Sequence, residues 1–244
     1  MKIKSLFLAV GILLSANAVS HAQTADEIIN SYLDAIGGVE HWKNFNSMRV
    51  TGNAIQMGVN YPFTVISMRP NLQKVVADVM GKQFIEAYDG ESAWGLNPFT
   101  GATEPQKKTE EESKESAMQH FESDFIDYKD KGYTVTLEGT EEIEGAKCYN
   151  LKLVKEEGRE EYHFIDAENY VPIMTRSFIP TGEMKGQAVE TYFSDYQEVE
   201  GTGVVVAFTM EQRFNGQVVM QMVTEKVEFN PEDLTKESFA FPEK

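Results

Sequence analysis

The stretch Tyr88–Phe99 reads YDGESAWGLNPF and sets the acid Asp89 shortly before Trp94. A carboxyl group beside an indole suits a sugar-like pocket, where the ring stacks and the acid moves a proton. The same residues have a second meaning. A two-residue hairpin loop needs positive φ at both central positions, and Asp-Gly tolerates it. With Asp89-Gly90 as that loop, Ala87 faces Ser92, Ile85 faces Trp94, and Asp89 points into solvent. The flanking apolar alternation favours the turn.

The remaining candidates for chemistry are sparse. The four histidines are His21, His41, His120 and His163, and they lack metal-ligand spacing. His163 lies near Glu160 and Glu161, but strand alternation sends adjacent residues to opposite faces. Cys148 is the only cysteine, which excludes an internal disulfide, Fe–S clusters and cysteine-rich zinc sites. No cationic neighbour marks it as reactive, so a shielded, passive thiol is expected. There is no Gly-x-Ser-x-Gly elbow and no phosphate loop. The expectation is a protein without catalytic residues, metal or cofactor.

The elements around these residues are mostly strands. A helix comes first: in TADEIINSYLDAIGG, Thr24 and Glu27 form a capping box. Ile28, Ile29, Tyr32, Leu33 and Ile36 make one apolar stripe, and Gly37-Gly38 ends it. After Asn46 the apolar period becomes two. Turn signals at Gly58, Arg69-Pro70-Asn71, Gly81 and Asp89-Gly90 separate short alternating segments, an antiparallel meander. Residues 101–131 are charged and helix-prone, with Met118, Phe121 and Phe125 as apolar contacts, and suit a connecting helix or a lid. Strands resume at Tyr133 and end in a hairpin, Gly203–Phe214 and Gln217–Phe229, around Asn215-Gly216. That hairpin should pair Phe208 with Val223 and Thr209 with Met222.

Apolar groups then occupy both faces of the hairpin. A sheet with one solvated face does not carry that pattern. Either something covers the second face or it lines an apolar cavity. Several of the 11 methionines fall in strands, among them Met210 and Met222. Methionine is soft and suits a wall that adapts to variable apolar ligands. Trp94, Phe208, Met210, Met222 and Val223 are therefore the candidate cavity residues.

Composition narrows the partners. The 244 residues carry a net charge of −17, which disfavours nucleic acid and anionic membrane surfaces. Lys2 and Lys4, an apolar run from Leu6 to Leu14 and the end Ser20-His21-Ala22 read as a cleavable signal peptide over 1–22. No cysteine follows the cut, so no lipid anchor is expected. Residues 23–244 show no repeat and no low-complexity linker, so one domain, a monomer in the periplasm, is expected.

Three motifs in order carry a resemblance: Arg69-Pro70-Asn71, then Asp89-Gly90 with Trp94, then Asn97-Pro98-Phe99. The chain closes on Phe239, Phe241 and Pro242. This resembles the LolA-like family of outer-membrane lipoprotein-sorting carriers. The resemblance implies a mainly β fold: a strongly curved, incompletely closed antiparallel barrel with helices over its concave side. It implies a cavity for the acyl chains of lipids or lipoproteins, with an inner-membrane donor and an outer-membrane acceptor as partners. It further implies that Arg69 latches the sheet to its helical lid. A plain turn-flanking role for Arg69 is the other reading. The alternative for the whole chain is an envelope interaction module with the same fold and no ligand cavity.

Overall fold

The computed structural model describes residues 23–180 and 182–242. The signal-peptide reading of 1–22 lies outside the described residues. Helix α1 (Ala25–Ala35) opens with the Thr24–Glu27 capping box and buries Ile28, Ile29, Tyr32 and Leu33. Full burial of one such side chain contributes about 1.5–3 kcal/mol, so this stripe, and not helix propensity, fixes α1 to the sheet. Gly37 lies between α1 and the short α2 (Val39–Lys43) with φ of 103°. A Cβ there would meet the Gly203 carbonyl at 2.0 Å, so the helix pair can approach the sheet only through glycine.

Thirteen antiparallel strands form one sheet. They are β1 (Ser47–Gln56), β2 (Val59–Met68), β3 (Leu72–Val79), β4 (Lys82–Tyr88), β5 (Ala93–Leu96), β6 (Gln106–Lys107) and β7 (Thr134–Ile143). The series continues with β8 (Ala146–Val154), β9 (Glu160–Asp166), β10 (Pro172–Phe178), β11 (Ala188–Val199), β12 (Val204–Phe214) and β13 (Gln217–Phe229). The order across the sheet is β6-β5-β4-β3-β2-β1-β13-β12-β11-β10-β9-β8-β7. The β1–β13 pairing joins the first meander to the second, and the edge strands β6 and β7 do not pair, so the barrel stays open.

Two hairpin registers differ from the sequence expectation. Trp94 faces Ala87, and Ile85 faces Leu96. The loop is four residues long because Asp89 folds back: its Oδ1 accepts from the Glu91 and Ser92 amides at 2.9 and 2.7 Å. Asp89 is thus a turn residue, as the sequence suggested, in an Asx turn and not a two-residue loop. In the last hairpin, Asn215-Gly216 does make the two-residue turn, with Phe214 facing Gln217. A bulge between Gln212 and Arg213 then slips the pairing by one, so Thr209 faces Val223 and Met210 faces Met222.

The charged stretch is also shorter in helix than expected. Helix α3 (Glu110–Ala117) has its own capping box from Thr109 and Glu112, and stops at Met118. The segment 118–131 follows as turns. Phe121, Phe125 and Ile126 are buried from this segment in the main core with α1, Leu151, Leu153 and Ile165. Cys148 is fully buried in a separate cluster with Phe164 and Met174, where burial pushes its thiol up to about 11.

Candidate functional site

Strand alternation assigns the two faces. Along β1, Met48, Val50, Ala54 and Gln56 look to one side, and cross-strand partners Val65, Tyr61 and Met222 look with them. Two cavities lie on this side. The first, about 560 Å³, runs under the helices between Met48 and Val50 of β1, Phe193 and Tyr196 of β11, and Met210 of β12. Its roof is Tyr32, Ile36, Trp42 and Phe121. The second, about 570 Å³, is lined by Ala54, Tyr61, Phe63, Ala77, Phe84 and Met222, with Phe99 at its edge. Met210 lines the first and Met222 the second, and the two are direct cross-strand partners. The cavities therefore abut at this methionine pair.

Of the five residues expected on a cavity wall, Met210 and Met222 lie there. Val223 follows Met222 and points to the opposite face, 40 % exposed. Phe208 is half-buried and lines neither cavity; the pairing of β11 with β12 is interrupted beside it, where Asp195 has φ of 54°. Trp94 is buried on the outer face with Ile85, Ala87 and Phe241. Its indole N–H donates to the Phe239 carbonyl at 2.9 Å, so it anchors the C-terminal segment. Alternation alone could group Trp94 with Ala87 but could not say which face was concave. The residues missed were Phe63, Ala77 and Phe84, whose period-two spacing was visible while their side of the sheet was not.

The roof of the first cavity is held by charge. Arg69 sits at the β2–β3 turn, before a cis bond to Pro70. Its Nε donates to the Phe45 carbonyl at 2.9 Å and its Nη2 to the Trp42 carbonyl at 3.0 Å. Nη1 pairs with Glu122, and the guanidinium stacks 5.0 Å from the Phe121 ring centre. One side chain thus joins the sheet to α2 and to the 118–131 segment. Lys155 is buried and bridges Asp124 and Glu161, each at 2.9 Å. Burial alone would raise the Glu161 carboxyl, but His163 and Lys155 outweigh it and hold it down at about 2. Burial works to lower the Lys155 ammonium, and Asp124 with Glu161 raises it.

His120, Ser123, Asp124 and His163 line the first cavity together, which spacing in the sequence did not reveal. Ser123 Oγ accepts from Tyr32 Oη at 2.9 Å, and His120 Nε2 lies 3.1 Å from Tyr133 Oη. Burial lowers the His120 pKa and raises that of Tyr32 to about 12. Tyr32 and Tyr133 thus occupy Ser123 and His120, Lys155 occupies Asp124, and His163 Nε2 is buried without a hydrogen bond, 3.6 Å from Glu161. Among the described residues, neither histidine bonds Ser123 and no group of acids, histidines and cysteine could hold a metal.

No family model and no curated protein matches this chain. Solved structures do. A LolA superfamily protein from Nitrosomonas europaea aligns with TM-score 0.56 at 15% identity, over 90% of this chain and 98% of that one. The chain has the LolA-like fold. An outer membrane lipoprotein-sorting protein domain from Vibrio parahaemolyticus aligns at TM-score 0.56 and 12% identity, over 87% of this chain and 94% of its own. A DUF1329 family protein from Desulfovibrio piger aligns at TM-score 0.57 and 9% identity, over 90% and 98%. The LolA-like sheet shared with these proteins is the scaffold of both cavities.

Proposed function

We propose that the protein is a non-enzymatic carrier or binder of acylated, hydrophobic cargo, lipid or lipoprotein, working in the periplasm after cleavage of residues 1–22. The observation that carries this reading is the pair of abutting apolar cavities on the concave side of an unclosed sheet. Each has the volume of a small-molecule site. Burying an acyl chain contributes about 0.8 kcal/mol per CH₂, so apolar walls alone supply affinity. The methionine pair between the cavities can repack around chains of different length. The likeness to a lipoprotein-sorting domain supports the cargo class, and in that setting an inner-membrane donor and an outer-membrane acceptor would be the partners. One domain over 23–244 would act as a monomer.

Arg69 is the latch in this reading. Charge-assisted hydrogen bonds contribute about 1.5–3 kcal/mol each when desolvated, enough to bias a lid whose states differ by a few kcal/mol. The test is a fluorescent fatty-acid probe. It should bind the protein and be displaced by lipid. Filling the cavities with Ala207→Trp and Ala77→Trp should abolish binding while the fold persists. Equal probe binding by the filled variants would remove the cavities from the function.

A further inference from the structure

The second cavity opens beside an unusual rim. Four of the seven exposed large hydrophobic side chains among the described residues are Met57, Met80, Phe99 and Val218. Met57 is in the β1–β2 turn, Met80 in the β3–β4 turn, Phe99 after β5, and Val218 after the β12–β13 turn. Gln56, Val79, Asn97, Phe99 and Met220, their neighbours in sequence or themselves, line the cavity. The apolar tips therefore surround its mouth.

Two of these tips serve nothing in the fold. Met57 and Met80 have φ of 50° and 56°, each followed by a glycine with positive φ. Asn, Asp and Gly favour such turns, as at Asn215-Gly216, and an unbranched apolar chain gains nothing there. Met57 is 95% exposed and Met80 77%, so neither side chain packs.

The same rim is nearly free of charge. Residues 55–60, 79–83, 97–103 and 214–222 together hold one charged side chain, Lys82, in a chain that is 25% charged. Its ammonium lies 5.8 Å from the Phe99 ring centre, a cation on an apolar stem beside an aromatic ring. These four stretches contain no acid although the net charge is −17; Asp78, Glu86 and Glu104 lie just beyond them.

We infer that this rim docks on a lipid bilayer, its methionine and phenylalanine tips entering the interface so that the second cavity opens toward the acyl region. Separate side chains on separate turns fit a fluid surface that closes around each of them. A charged group pushed toward the acyl region is costly, which the composition of the rim avoids. The overall negative charge selects a zwitterionic surface over an anionic one. Passage of an acyl chain through this mouth rests on the carrier reading; docking itself does not.

The test places a fluorophore on each tip. Cys148 is fully buried, so Met57→Cys and Met80→Cys give single reactive thiols for a nitrobenzoxadiazole label. Glu200→Cys, at the other end of β12 from the Val218 turn, is the control. With phosphatidylcholine vesicles, the labels at 57 and 80 should shift to the blue and be quenched by lipids spin-labelled on the acyl chain. The label at 200 should not change. Separately, Met57→Glu with Met80→Glu should weaken vesicle binding at least about tenfold, and fatty-acid binding measured without vesicles should be unchanged. Glutamate is tolerated in this conformation, since Glu144 has φ of 51° ahead of Gly145. No shift at either tip, or an equal shift at 200, overturns the proposal and leaves the rim to a protein partner. Loss of fatty-acid binding by the unsubstituted protein, with tip insertion retained, would fault the carrier reading alone.

Discussion

Strand β1 starts beneath a charged roof and ends between uncharged tips. At its start, Arg69 grips the Trp42 and Phe45 carbonyls and Glu122, while Lys155 holds Asp124 and Glu161 close by. At its end, Met57-Gly58 turns in open water, and Lys82 is the one charge on the neighbouring tips. Both ends border a cavity of similar volume, about 560 and 570 Å³. On the carrier reading, the difference separates two tasks on one face. Ion pairs and desolvated hydrogen bonds have defined geometry and suit a cover with a fixed closed state. Uncharged apolar turns impose no partner geometry and suit an open mouth.

Breaking the roof should have the largest effect. Lys155→Met leaves Asp124 and Glu161 as buried acids without their cation, which costs roughly 3–5 kcal/mol. Chemical denaturation measures it. Met80→Ser at the rim should stay within about 0.5 kcal/mol, as for other exposed side chains. Equal losses at the two sites would erase the contrast.

Acid should act on the roof in the same direction. Glu161 titrates at about 2 in the fold against 4.5 in the free residue. Its contribution is complete above pH 4.5 and is lost as pH falls through about 2, worth roughly 3 kcal/mol. His120 is held below its free value of 6.5, chiefly by burial, so folding favours the neutral ring. Its contribution is full above pH 6.5 and declines as pH falls below it. Denaturation midpoints from neutral pH to pH 3 should fall, and Glu161→Gln should flatten the part below pH 4.5. An unchanged slope in that variant would show that the carboxyl is not the acid-sensitive element.

Arg69→Leu should act locally. Loss of two charge-assisted bonds to Trp42 and Phe45 should raise amide exchange in α2 and 118–126 and leave the β1–β2 turn unaltered. Equal protection in both proteins would return Arg69 to a plain turn-flanking role. Asp89→Asn should be the quietest change, within about 0.5 kcal/mol, because Asn still accepts from the Glu91 and Ser92 amides. A large loss of ligand binding in that variant would give Asp89 a chemical role after all.

These contrasts also mark what the sequence could express. Capping and apolar stripe located α1, and period-two alternation with turn residues located most strands. Register was harder. A bulge at Arg213 and an Asx turn at Asp89 each moved the pairing, and both depend on hydrogen bonds that residue type alone does not choose. The candidate site was legible in part for the same reason. Met210 and Met222 could be placed on strands, but only the curvature of the sheet decides which face is concave. Trp94 therefore looked like a wall residue and is an outer-face anchor for the C-terminal segment. The polar group of His120, Asp124 and His163 comes together through a turn segment packed on a distant strand, which local patterning cannot encode.

The central claim is that the two cavities hold acyl chains, and native mass spectrometry of protein purified from its own envelope tests it most directly. The account expects adducts with the mass of an acylated lipid or lipoprotein. Ala207→Trp with Ala77→Trp, purified in the same way, should carry none. An unliganded mass for the unsubstituted protein, together with failure to bind a fluorescent fatty acid afterwards, would contradict the account.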